Sequence, residues 1–240
     1  MRHSITFAGS AAIGAIALCA SSASALVFPY GNFPGAGTNP DFVSVQEDTN
    51  APGPNPAAAL FGAPIRVGNS LLFFPTQYSS ESTNGGADTT SSTLSMFIFA
   101  KPGQFLKSFT IRERGDWTLT GIGTAATQAN INGALFITDI GGGGGFWQDV
   151  MTVNPPMPQT GSPSFGIWES AVTIDLTGLG VTSVQLQFNN NLQTSSEPGT
   201  TAFIQKKVIN GPSVQIEIPA PAGVSVLALM GLAGARRRRA

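Results

Sequence analysis

The sequence predicts an all-β chain: an antiparallel β-sandwich, jelly-roll-like, flanked by an N-terminal signal helix and a C-terminal hydrophobic helix. Three observations predict it. From Ile65 onward, apolar and polar residues alternate with a period of two in one short run after another, as half-buried strands do. Clusters of Gly, Pro, Asn and Ser bound these runs, and such clusters turn or end strands. Between Leu26 and Ile218 no stretch sustains a helical period, so apolar faces must be buried by sheet on sheet.

In chain order, residues 1–25 read as a signal peptide. Arg2 and His3 form a positive start, Ile5 to Ala20 an apolar stretch, and Ala23-Ser24-Ala25 a small-residue cleavage site before Leu26. Cys19 follows Leu18, where a lipid-modified cysteine wants a small residue, so acylation is not expected. Residues 26–64 are rich in Pro, Gly and Asn and are expected to be loops, with one strand at Phe42 to Gln46, joining a sandwich domain over 65–218.

In that domain Leu71 to Phe74 is a short apolar run closed by Pro75, and Gln77 to Thr90 is expected to be a polar loop. Thr93 to Ala100 puts Leu94, Met96 and Ile98 on one face and Phe97 and Phe99 on the other. Strands are then expected at Phe105 to Glu113, closed by Arg114-Gly115, at Asp116 to Gly121, and at Ala129 to Thr138. Gly141 to Gly145 reads as a flexible loop and Trp147 to Val153 as a strand, and Asn154-Pro-Pro-Met-Pro158 breaks pairing. Phe165 to Leu176, Val181 to Asn189, Ala202 to Asn210 and Ser213 to Ile218 complete a set of about ten short strands, as sandwiches require.

Residues 219–240 hold an uncharged stretch, Ala222 to Ala235, followed by Arg236, Arg237, Arg238 and Arg239. As a helix the stretch spans roughly 21 Å against a hydrocarbon core of roughly 30 Å. Each arginine would cost about 2.5–3.5 kcal/mol at mid-bilayer, so the cluster is expected to stay cytoplasmic. Pro219-Ala220-Pro221, the apolar stretch and the arginines together resemble the PEP-CTERM sorting signal of exported bacterial proteins. Ala220 stands where that family's motif has Glu, which matches its Pro-Ala-Pro variant. The resemblance implies the Sec translocon and an exosortase-type membrane enzyme as partners, exopolysaccharide as a further one, and delivery to the cell surface or medium after transient anchoring. Leu60-Phe-Gly-Ala-Pro64, Gly86-Ala-Asp88 and Gly115-Asp-Trp117 also look like the bodies of other such exported proteins that have no assigned activity.

Subtraction narrows the chemistry. His3 and Cys19, the only histidine and cysteine, both precede Leu26. A chain starting there cannot build a Ser-His-Asp triad, a Cys-His nucleophile, a His or Cys zinc site or a disulfide. All thirteen acids lie between Leu26 and Ile218, while Arg2 and the four tail arginines lie outside. That acidic body is not built for nucleic acid, whose binding rests on phosphate neutralisation.

Gly121-Ile-Gly-Thr-Ala-Ala126 has a dinucleotide-like glycine spacing, but strand rather than helix follows it, and it reads as a turn. Trp117 shares a face with Leu119, and Trp168 with Val172 and Ile174, so both read as core; Trp147, after the glycines, is the candidate for glycan contact. Glu113, Asp116, Asp139, Asp149, Glu169 and Asp175 lie near strand ends, where solvated charges discourage edge pairing. No cofactor is expected, with structural Ca²⁺ left open and Asp139 and Asp149 its candidate ligands; no catalytic residue is singled out. The expected function is that of an exported, non-catalytic surface or matrix protein, structural or adhesive. A carbohydrate-binding module and a carboxylate-dependent glycan-active enzyme are the alternatives.

Overall fold

The computed structural model describes residues 26–49, 58–208, 212 and 214–218. The cleavage-site residues Ala23 and Ala25, the motif Pro219-Ala220-Pro221, Arg236 to Arg239 and the stretches expected to form the flanking helices lie outside the described residues. In chain order the strands are β1 (Leu26–Phe33), β2 (Asp41–Thr49), β3 (Ile65–Val67), β4 (Ser70–Phe73), β5 (Ser79–Thr83), β6 (Ala87–Phe99) and β7 (Ser108–Asp139). They continue as β8 (Phe146–Val150), β9 (Thr152–Asn154), β10 (Gln159–Asp175), β11 (Ser183–Ser195), β12 (Thr201–Lys206) and β13 (Val214–Glu217). Every pairing is antiparallel, and the described residues contain no helix. The expected all-β architecture takes the form of one 13-stranded sheet, curled nearly into a barrel.

The 32-residue β7 organises that sheet. Its first half pairs with β10 on one side and with β12 and β13 on the other. Its second half pairs with β11 and β8. The sequence suggested three strands here, closed by Gly115 and Gly121. Gly115 instead continues the strand, because its bare Cα is what lets the neighbours approach. A Cβ there would lie 1.9 Å from the Gln205 carbonyl oxygen and 2.5 Å from the Trp168 ring. Gly121 (φ +86°) turns the corner between the halves without breaking the strand. Leu119 and Thr127, either side of the corner, both face inward, so the alternation resumes in phase.

The same end of the molecule holds the β5–β6 turn at Asn84–Gly86 and the β11–β12 turn near Glu197. The Asn84 amide donates to Thr200 O (2.9 Å), and the Gly199 amide to Asn84 Oδ1 (2.9 Å). Glu197 accepts from the Thr124 amide (2.6 Å) and from the Thr124 and Thr127 hydroxyls (3.0 Å each), which ties the β7 corner to that turn.

Two other expectations change. The expected loop Gln77 to Thr90 is largely β5 and the start of β6, which pair with β12 and β11 rather than with each other and whose inward positions carry the small polar residues Ser80, Ser82 and Thr90. The two-residue period was present but hidden by polarity on both faces. The N-terminal stretch forms two strands rather than one. β1 holds Pro29 because it is the outermost strand, where a missing N–H costs no ladder bond, and it shifts register at Gly31.

One core runs through the curl. Leu94, Met96, Ile98, Leu135, Ile137, Leu186 and Phe188 from the second half meet Phe109, Ile111, Trp117, Trp168 and Ile204 from the first, all buried as the alternation requires. Each such side chain contributes about 1.5–3 kcal/mol on burial.

Candidate functional site

The face turned away from this core, across β6, β11, β7 and β8, is set by register. One row across it reads Gln46, Ser95, Gln187, Phe136, Gln148. Its neighbours read Val43, Phe97, Gln185, Thr138, Phe146 and Asp48, Thr93, Asn189, Ala134, Val150. Further along stand Ser91, Asn191, Asn132 and then Thr89, Gln193, Asn130. On the central strands this face carries no charge, and apart from Phe97, Ala134 and Phe136 it is a field of amides and hydroxyls. Some members bond each other: Thr93 Oγ1 donates to Asn189 Oδ1 (3.0 Å), and Asn130 Nδ2 to Gln193 Oε1 (3.4 Å). Asn191 Oδ1 has no partner.

The field lines a groove of about 790 Å³, to which Asn130, Asn132, Asn189 and Asn191 contribute together with Val150, Met151, Val153, Pro156 and Met157. A smaller hollow of about 320 Å³ adjoins it between Phe136, Gln148 and Val150. Phe146 is 58% exposed and stacks on Phe136, with centroids 6.3 Å apart.

Trp147, the expected glycan contact, pairs with the inward-facing Ile137 and packs half-buried against the core. Its ring covers Gly145, where a Cβ would lie 2.1 Å away. The exposed aromatic beside the glycine run is therefore Phe146. The sequence carried the signal for this, since alternation places residues 146 and 147 on opposite faces.

Inside the core sits a second polar assembly. Lys206 on β12 and Glu113 on β7 form an ion pair with both side chains fully buried. Asn190 on β11, from the opposite half of the sheet, donates from Nδ2 to the other Glu113 oxygen (2.6 Å). Lys206 Nζ lies 4.7 Å from the Tyr78 ring centroid, 5.3 Å from Phe61 and 5.8 Å from Trp168. Burial is the largest influence on both partners. It pushes the lysine down, to about 8, and the glutamic acid up, each against the pull of the other. Nearby, Glu47 accepts from Ser92 Oγ (2.8 Å), from the Leu60 and Phe61 amides (2.7 and 3.1 Å) and from Tyr30. Burial and then that carboxylate raise the Tyr30 hydroxyl.

No family model matches this chain, and no curated protein does. Among solved structures it is similar to TmCBM61 in complex with beta-1,4-galactotriose, at 11% identity and a TM-score of 0.25, over 60% of this chain and 72% of that one. It is also similar to the enzymatically active domain of bacteriophage CBA120 tailspike protein 4, at 12% identity and a TM-score of 0.23. That match spans 82% of this chain but only 20% of the phage protein. At these values neither relates the chain to a family or an activity.

The six carboxylates singled out from the sequence do not gather. Glu113 departs from the expectation of a solvated edge charge and lies in the core. Asp116 meets Lys207 (2.8 Å). Asp139 accepts from the Gly141 amide (2.7 Å) and holds the glycine turn. Asp149 accepts from the Val150 amide (2.8 Å) and pairs with Leu135, four residues back along β7 from Asp139. Glu169 pairs in register with Arg114, on the face opposite Glu113, and Asp175 accepts from the Thr177 amide. Glu47 and Lys206 were missed by sequence reading, because nothing local distinguishes a buried charge from a surface one.

Proposed function

We propose that this chain is an exported, non-catalytic domain of the cell surface or extracellular matrix, which adheres by holding neutral glycan on the outer face of β6, β11, β7 and β8. The observation that carries the glycan part is the uncharged amide and hydroxyl field beside an exposed, stacked Phe146. Each amide both donates and accepts, as sugar hydroxyls do, and an aromatic face suits the apolar side of a sugar ring. Asn is depleted in strands, so strand propensity does not account for Asn130, Asn132, Asn189 and Asn191 in the middle of the sheet.

Export rests on the two chain ends: the signal-like start before Leu26, and Pro219-Ala220-Pro221 with its arginines. On this reading the Sec translocon and an exosortase-type enzyme process the chain, and exopolysaccharide is the glycan at hand. The curled sheet serves as a jelly-roll-like sandwich whose outer leaf is the contact face. The absence of His and Cys after Leu26 and the dispersed carboxylates support a role without turnover.

Affinity electrophoresis through gels containing neutral or anionic polysaccharide tests this. A neutral polysaccharide should retard the protein, and Phe146→Ala with Asn189→Ala should abolish retardation at unchanged Tm. No retardation in any gel, or equal retardation of the variant, would remove the contact face from the account.

A further inference from the structure

We infer that Lys206 and Asn190 join through an intramolecular isopeptide bond formed within the folded core, with Glu113 carrying the protons. The geometry behind this is specific. One carboxylate holds both reacting groups, the Lys206 amine on Oε1 and the Asn190 amide nitrogen on Oε2 (2.6 Å). All three residues are at most 3% exposed. The aromatic rings of Tyr78, Phe61 and Trp168 surround the amine, and Tyr78 also fixes the β11 backbone by donating to Asn190 O (2.8 Å). Asn190 Oδ1 has no partner.

Such a setting favours acylation of the amine. A lysine is a nucleophile only when neutral, and a buried site stabilises the neutral amine and neutral carboxylic acid over the ion pair. Burial shifts both groups in that direction. Proton transfer from Nζ to Glu113 gives –NH₂ and –COOH. Nζ then attacks Asn190 Cγ, and an N–C bond forms. Glu113 accepts a proton from Nζ at one oxygen while giving one to Nδ2 from the other. The Cγ–Nδ2 bond breaks and ammonia leaves. The products are a secondary amide, one ammonia and a neutral Glu113, so protons and charge balance with no oxidant or water. A half-turn of the Asn190 amide, which exchanges oxygen and nitrogen, would let protonated Glu113 donate to the carbonyl and activate Cγ. Holding amine, amide and acid together supplies the proximity such a step needs.

The bond would tie β12 to β11 across the core. It would supply a covalent staple to a chain whose only cysteine, Cys19, precedes Leu26 and which therefore has no disulfide to form outside the cell.

Peptide mapping by tandem mass spectrometry of the native, purified full chain tests this. The expected result is a tryptic peptide closed into a loop by the Lys206–Asn190 bond, lighter by one ammonia and uncleaved after Lys206, which chymotrypsin, cutting after Leu192 or Phe203, opens to a branched peptide. A succinimide at Asn190 also loses ammonia but leaves Lys206 free, so the branch itself is diagnostic. A linear peptide with an unmodified Lys206 side chain would overturn the proposal whatever the variants do. In Glu113→Gln the folded chain should carry the two residues unjoined, and a branch at wild-type yield there would overturn the role of Glu113.

Discussion

Lys206 on β12 and Glu113 on β7 pair on the inner face of the sheet with neither side chain reaching solvent. Removing one partner from such a pair strands the other charge in the core. In an Asn190→Ala background, where no cross-link can form, Lys206→Met should therefore cost about 3–5 kcal/mol in chemical denaturation. Adding Glu113→Gln to that variant should recover part of the loss. Neither form can carry the Lys206 cross-link, so their difference reads the stranded carboxylate alone.

Gly115 predicts a backbone-level defect. Gly115→Ala drives a methyl into the Gln205 carbonyl and the Trp168 ring. The cost should reach or exceed the roughly 1–3 kcal/mol of core overpacking, read as a fall in Tm. A neutral result would mean that β7 and β12 separate here freely.

How much of this was legible in the sequence follows from those residues. The inward sets Leu94, Met96, Ile98 and Val184, Leu186, Phe188 stood out because apolar and polar residues alternate cleanly. The continuity of β7 did not, since Gly115 reads locally as a strand end and only Trp168 and Gln205, more than fifty residues away, give it a reason to be glycine. The amides at 185, 187 and 189 were visible as one polar face. Their merger with Asn130 and Asn132 depends on β11–β7 register, which one sequence does not carry. Lys206 and Glu113 looked like any surface charges because their partners are long-range.

The β7 corner should depend on Glu197, which gathers the Thr124 and Thr127 hydroxyls and the Thr124 amide. In Glu197→Ala, hydrogen exchange over residues 120–127 should speed up while that of the β6–β11 ladder stays as in the wild type. Equal protection in both regions would show that the corner holds itself.

Asp41 carries a pH signature. Lys101 Nζ donates to it at 2.7 Å, the Gly35 amide at 2.6 Å, and these hold its carboxyl below the ordinary range. A depressed folded value means that its stabilisation is present above the unfolded value of about 3.9 and is lost as pH falls through the folded one. The Tm gap between wild type and Asp41→Asn should be open at neutral pH and close in acid. It should also shrink with salt, because the pair is partly exposed. A gap independent of pH would assign the effect of the substitution to something other than charge.

The proposed delivery outside the cell underlies both the proposed glycan face and the value of a covalent staple, and one mass spectrum addresses it. We would measure the intact mass of the protein recovered from the surface and medium of its native host. The account predicts a species beginning at Leu26 and lacking Arg236 to Arg239. A membrane-bound species that still carries the arginines, with nothing released, would contradict it and make the tail a permanent anchor.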